Sequence, residues 1–301
     1  MEAFQAIFNT VLIVFIVTTM LSAGFNTTFE QIASLFSKVW LVVAVLVVGF
    51  VVRPLVGWGT AEVFSLATPA FIAMALLWAC PGAPFGAKLV MTAKADIQSG
   101  AVLQVMLASI GSITFAPTAN AIIAAADLGD DVSLPVADLI KTVAALQLIP
   151  FAVGILTRHW AEERALEWNR FALKTSSITF VFVLAGALLG SWETVIDLIG
   201  SKVIVAALVA SIVMIAIGYF VSVGESPTKQ AAALVQPCTN SGPAFAAAAI
   251  AFDNDPEILG AITAILLFQI VAGLLTAVYF SKQNDDESSY SRTVSPQPAS
   301  A

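Results

Sequence analysis

Charge is what this chain has least of. Only 11% of its 301 residues are Asp, Glu, Lys or Arg, against 59% hydrophobic ones, whereas a soluble domain carries about a quarter charged residues. No globular interior of this length hides so much apolar surface, so lipid is the solvent for most of it. Histidine is nearly absent, with His159 alone, and no HExxH, GxSxG or paired intramembrane aspartate occurs. Hydrolytic or metal-assisted catalysis lacks raw material, so no enzyme and no cofactor are expected. Cys80 and Cys238 lie far apart in apolar stretches, without a second cysteine or histidine at metal-ligand spacing, which argues against a disulfide framework or a metal site. The net charge of -7 sits largely in short loops and in the tail after Ser281, and it predicts no nucleic-acid partner. No basic n-region precedes the first apolar run, from about Phe4 to Ala23. That run is too long for the core of a cleaved signal and reads as a first span.

What the chain does have is a series of apolar runs of roughly 17–25 residues, the length that crosses some 30 Å of hydrocarbon. About nine are expected, near 4–24, 37–57, 64–93, 97–123, 138–157, 171–191, 202–223, 229–251 and 257–280. Lys and Arg concentrate in the connection from Arg158 to Lys174, while the acidic loops Asp127 to Asp138 and Asp253 to Glu257 contain neither. Threading the spans alternately puts Lys38, Lys94, Lys229 and Lys282 on the side of the basic loop, hence an outside N-terminus and a cytoplasmic C-terminus in a plasma (inner) membrane. From Asp285 the chain is polar and is expected to be disordered.

Two of these spans are broken alike. One contains Cys80-Pro81-Gly82-Ala83-Pro84-Phe85-Gly86-Ala87-Lys88, the other Gln236-Pro237-Cys238-Thr239-Asn240-Ser241-Gly242-Pro243. Proline in a helix interior removes a hydrogen bond and clashes with the preceding turn. Each break is followed at similar distance by a related helix start, Ser99-Gly100-Ala101-Val102 and Leu259-Gly260-Ala261-Ile262. With four spans in the first unit and five in the second, the units run oppositely, the trace of an inverted repeat: residues 1–124, then 125–281, then a tail, 282–301. Unwound backbone at membrane depth is tolerated only where protein or a water-filled cavity surrounds it, so paired breaks point to a binding site near the midplane. The plainer alternative is that the prolines only kink helices for packing.

Few ionisable groups fall inside the spans. Lys88 follows the first break and is expected near the bilayer centre, where a charge costs on the order of 3 kcal/mol or more unless it faces a cavity or partner; the competing reading is that it snorkels to the cytoplasmic interface. Arg53, preceding Pro54 near the end of the second span, is expected to snorkel to the outer headgroups. Gln236, Thr239, Asn240 and Ser241 crowd the second break, where they are candidate ligands for a cation or for substrate hydroxyls.

Cys80-Pro81-Gly82-Ala83 through Ala93-Lys94-Ala95-Asp96 resembles the PGG and AKGD stretch of the bile acid:sodium symporter family. Leu21-Ser22-Ala23-Gly24-Phe25 with Phe29, and Leu148-Ile149-Pro150 with Gly154 and Arg158, resemble further parts of its pattern, and the resemblance covers nearly all of the chain. It implies an all-α polytopic membrane protein in which two crossing broken helices build a core domain that moves against a panel domain, with ten helices or, lacking the first, nine. It also implies transport of organic anions coupled to sodium. The family's sodium ligands fall on Gly86 and Ala87, Gly100 and Gln104, Gln236 and Asn240, and on Gly49, so most side-chain oxygens are gone. The expected carrier therefore moves a small organic anion, with Pro84, Gly86, Lys88, Gln104, Gln236, Thr239, Asn240 and Ser241 as candidate binding residues. Lys88 would stand in for sodium or take part in proton-linked transport. The alternatives are an arsenite permease or auxin-efflux-like carrier, for which Cys80 would matter, and a non-transporting receptor or sensor on the same fold.

Overall fold

A computed structural model describes residues 2–126, 134–190 and 192–294. Among them the chain is helical throughout, with no strand beyond one isolated bridge. Seven helices are long and apolar enough to cross a membrane, as expected of a polytopic membrane protein.

The first long helix, α1 (Glu2–Phe25), leads into a short α2 (Phe29–Phe36) and then α3 (Val39–Val47). A π turn over Val48–Val52 joins α3 to α4 (Arg53–Val63) without interrupting the rod. Its cause is Pro54, which has no N–H for the carbonyl one turn back and whose ring crowds it, so the helix widens just before the proline. The first broken span is α5 (Thr68–Trp78) and α6 (Pro84–Thr92), followed by α7 (Ile97–Ala125). Then come α8 (Val136–Trp160), α9 (Glu162–Gly190), α10 (Trp192–Leu198) and α11 (Lys202–Val221). The second broken span is α12 (Ser226–Val235) and α13 (Ser241–Ala251), and α14 (Pro256–Val294) ends the fold.

The helices sort into two groups. α1 lies against both α8 and α9, while α5, α6, α7, α11, α12 and α14 pack around the two breaks. The α1–α8 crossing is close because glycine meets glycine: a Cβ on Gly24 would lie 2.4 Å from the Phe151 carbonyl oxygen and 2.8 Å from the Gly154 Cα. Across the α1–α9 seam the buried Thr19 and Ser176 hydroxyls hydrogen-bond at 2.6 Å, and Ser22 donates to Asn169 Oδ1.

Several expectations change. The basic stretch from Arg158 onward is no loop, since only Ala161 separates α8 from α9 and the stretch is helical on both sides. Residues 127–133 of the expected acidic loop lie outside the described residues. The helix does not stop at the tail boundary placed at 282 but runs on to Val294. Asn284 there donates to the Ala93 carbonyl and to Gln230, and Asp285 pairs with Lys94 at 2.6 Å, so polar residues that bury nothing are still anchored through hydrogen bonds.

Asp96 starts α7 and ties it to its neighbours. Its carboxylate accepts from Ser99 N and from Thr228 Oγ1, each at 3.0 Å, and Lys38 Nζ lies 3.7 Å away. Partial burial pushes the Asp96 pKa up, but those hydrogen bonds and the lysine charge outweigh it and hold the pKa below its ordinary 3.8. A carboxyl depressed on folding adds stability above its unfolded pKa and loses it as pH falls through the folded value. Asp96→Ala is therefore expected to melt lower than the parent at pH 7, by the worth of an N-cap, about 1 kcal/mol. The gap should narrow as pH drops below 3.8, read as melting midpoints in detergent at both pH values. An equal gap at low pH would assign the effect to something other than the carboxylate.

Candidate functional site

The two breaks satisfy one another. Gly82 N donates to the Cys238 carbonyl at 3.1 Å and Asn240 N to the Cys80 carbonyl at 3.0 Å, and Pro81 pairs antiparallel with Thr239. A two-bond bridge thus replaces the helical hydrogen bonds that the prolines remove, deep in the protein where each unpaired backbone group would cost several kcal/mol. Four half-helix ends meet here: the carbonyl ends of α5 and α12 and the amide ends of α6 and α13.

Beside this bridge is a cavity of about 110 Å³. The second break forms one wall, from Pro237 to Ser241; α6 adds Phe85 and Lys88, and α14 adds Leu266, Gln269 and Ile270. The opposite wall is α1 and α9, through Phe15, Thr19, Ser176, Ser177 and Phe180. Lys88 is exposed at this cavity, and no carboxylate lines it among the described residues.

Three glutamines organise the polar groups. Gln269 is 3% exposed; its Oε1 accepts from Thr239 Oγ1 at 2.9 Å, which leaves its buried Nε2 without a partner. Gln147 Oε1 accepts from both Ser112 Oγ and Asn240 Nδ2, again leaving Nε2 unpartnered. Gln104 Oε1 accepts from Ala87 N at 2.8 Å and so caps the start of α6. Among buried side chains round the crossing, donors are in surplus.

Arg53 does not reach the headgroups. It is 0% exposed and donates from one nitrogen to the Trp78 carbonyl at 3.3 Å and from the other to Thr239 Oγ1, with its guanidinium carbon 5.2 Å from the centre of the Trp78 ring. The π turn brings it there, because one extra residue per turn rotates α4 enough to point position 53 at the crossing instead of outward.

A family model described as Sodium Bile acid symporter family matches residues 12–224. The chain belongs to that family. The match ends before the second break, which the structure brings against the first. A rice protein (Oryza sativa subsp. japonica), named a probable sodium/metabolite cotransporter, chloroplastic, is 23% identical over 220 residues, covering 70% of this chain and 50% of its own length. The chain thus spans about half the length of the curated relative it matches. Members of that family are membrane transporters and not enzymes.

The eight candidate residues divide. Lys88, Thr239, Asn240 and Ser241 line the cavity. Gly86 and Gln104 stand behind it, where a Cβ on Gly86 would lie 3.4 Å from Cys238 Sγ and 3.5 Å from Gln104 Oε1. Gln236 turns away, donating to the Val45 carbonyl at 3.2 Å and leaving its buried Oε1 free. Pro84 opens α6. Gly100 packs on Val90, its Cβ position 2.9 Å from that side chain. Sequence reasoning missed Gln269 altogether and misplaced Arg53. The available signals were a lone glutamine inside an apolar span and an arginine next to a mid-run proline.

Proposed function

We propose that this family member carries a small organic anion by alternating access, without the usual sodium pair. The observation that carries this reading is the cavity's electrostatics. An exposed ammonium and the amide ends of two half-helices converge on it, no carboxylate lines it among the described residues, and helix N-termini favour anions. Its volume, about 110 Å³, compares with roughly 10–15 Å³ for one water, which suits a short carboxylate better than a bulky amphiphile.

The cavity lies between α1 and α9 on one side and the crossing on the other, as expected if a panel rocks against a core around the substrate. In that arrangement the repeats 1–124 and 125–281 are inverted, each broken pair makes one further crossing of the membrane, and the C-terminus is cytoplasmic in a plasma membrane. Sodium is a poor fit to the residues present. A hard cation takes about six oxygens, commonly a carboxylate among them, and Gln104, Gln147 and Gln269 already spend theirs on internal donors. Lys88 faces the cavity and not the crossing, so its role is to meet the substrate.

Uptake of labelled short carboxylates by reconstituted protein tests this. Lys88→Ala is expected to raise KM about tenfold, the worth of one partly solvated charge-assisted contact of about 1.4 kcal/mol, while Lys88→Arg retains most uptake. Unchanged kinetics in Lys88→Ala would remove the lysine from the site. Binding of carboxylates without flux would favour the sensor reading over the carrier.

A further inference from the structure

We propose that Arg53 is the resident cation of the crossing. Its guanidinium permanently occupies the carbonyl end of α5, where a mobile coupling ion would otherwise sit, so the anion moves without a co-transported cation. The transport consequence rests on the anion-carrier reading; the placement of the charge rests on geometry alone.

A buried charge at membrane depth is costly unless something compensates it. The ion pairs among the described residues are Lys38–Asp96, Lys94–Asp285, Lys141–Asp138 and Arg158–Glu162, and none involves Arg53. Its compensation comes instead from the last carbonyl of α5, a threonine hydroxyl of the opposite break and the face of Trp78. Carbonyl ends of broken helices carry partial negative charge and are where transporters of this plan bind cations. Arg53 brings that cation on a side chain, and guanidinium stays charged throughout the accessible pH range.

The same charge sets the polarity of the cavity. Thr239 Oγ1 accepts from Arg53, and its own proton has two acceptors in reach, Gln269 Oε1 at 2.9 Å and the Leu77 carbonyl at 3.4 Å, of which Gln269 is the nearer. Gln269 is one of the residues that line the cavity, and its Nε2 is buried without a partner. One arginine thus takes the place of a coupling cation and orders the Thr239–Gln269 pair in the cavity wall. Among the described residues at the crossing, Gln236 Oε1 is a fully buried side-chain oxygen without a partner, and one such oxygen is too little for a hard metal ion.

With no cation moving, each turnover of a monoanion transfers one negative charge. An inside-negative potential of about 100 mV then opposes uptake by about 2.3 kcal/mol per charge, which is roughly fiftyfold in the accumulation ratio.

The test uses the full chain. Melting midpoints of purified protein in sodium chloride and in potassium chloride of equal strength are expected to coincide. Arg53→Gln, which vacates the carbonyl end, is expected to melt higher in sodium than in potassium. In proteoliposomes with labelled pyruvate as probe, a valinomycin-imposed inside-negative potential of about 100 mV should lower accumulation roughly fiftyfold, with or without sodium. Sodium stabilisation of the parent protein overturns the proposal, as does accumulation raised by inside-negative potential. A folded Arg53→Gln that ignores sodium overturns it too. Should Arg53→Gln fail to fold, the parent's sodium comparison and the sign of the potential effect still decide. If pyruvate and other carboxylates are not carried at all, the anion reading fails while the parent's sodium comparison continues to test the resident charge.

Discussion

Gly82→Ala will melt far below the parent protein. Gly82 sits at φ +88°, and a Cβ there would lie 2.4 Å from Ala108 N and 2.8 Å from the Gln104 carbonyl oxygen and the Leu107 carbonyl carbon. These are backbone atoms of α7, held by that helix's own hydrogen bonds, so none can step aside as a side-chain end would. The left-handed conformation costs about 1–2 kcal/mol for a residue with a Cβ, and forcing a methyl into packed backbone adds about 1–3 kcal/mol. A loss of about 2–5 kcal/mol is a large part of the 5–15 kcal/mol that separates folded from unfolded in ordinary domains. The position also carries the N–H that bonds Cys238, so relieving the clash breaks the bridge between the two half-helix pairs. Size exclusion in detergent and the melting midpoint give the readout, with Gly59→Ala as control, since nothing lies within 4 Å of a Cβ there. A Gly82→Ala protein as stable as the control would mean that the crossing is not held as described.

The two breaks were legible because proline and glycine act locally. Pro81 and Pro237 fall inside the breaks and Pro84 and Pro243 in the first turns of the helices that follow, where a missing N–H is tolerated. The spans containing them do break between Trp78 and Pro84 and between Val235 and Ser241, whereas the isolated Pro117 and Pro150 are carried inside unbroken α7 and α8. That the breaks hydrogen-bond to each other was not legible, since the bridge joins residues more than 150 positions apart in sequence. Hydropathy also measures depth along a span but not rotation about its axis. Arg53 therefore looked like a residue close enough to an end to snorkel, whereas the π turn before Pro54 aims it at Thr239. Gln269 escaped notice for the opposite reason. It lies in an unbroken span with no proline to mark it, and its meaning comes only from Thr239 and from the cavity beside it. Helix α14 shows the limit of composition: residues after Ser281 are polar enough to stay in water, yet Asn284 finds Ala93 and Gln230 on the core's surface and the helix continues. Polar sequence says what will not be buried; it does not say what will be tethered.

Gln269→Glu isolates the polarity of the cavity, because it changes charge and donor capacity while keeping shape. In the parent, Gln269, which lines the cavity, gives its oxygen to Thr239 and keeps its Nε2 as a donor without a partner. A glutamate keeps the first contact and removes the second, presenting an acceptor where an anion needs a donor. Loss of a hydrogen bond to a charged ligand costs about 1.5–3 kcal/mol, and like-charge repulsion between two carboxylates in a site shielded from water adds to it. Anion uptake is expected to fall by on the order of a hundredfold or more, since each 1.4 kcal/mol is tenfold. Folding should survive, because the new carboxylate accepts from Thr239, whose hydroxyl is already bound to Arg53, and so gains a compensating positive charge one hydrogen bond away. The measurement is initial uptake in proteoliposomes beside a melting curve of the same preparation. Gln269→Glu with parental melting and a hundredfold loss of uptake would place the anion against this side chain. Parental uptake would show that the substrate binds without it, and a collapsed melting curve would show that Arg53 does not neutralise a carboxylate across Thr239.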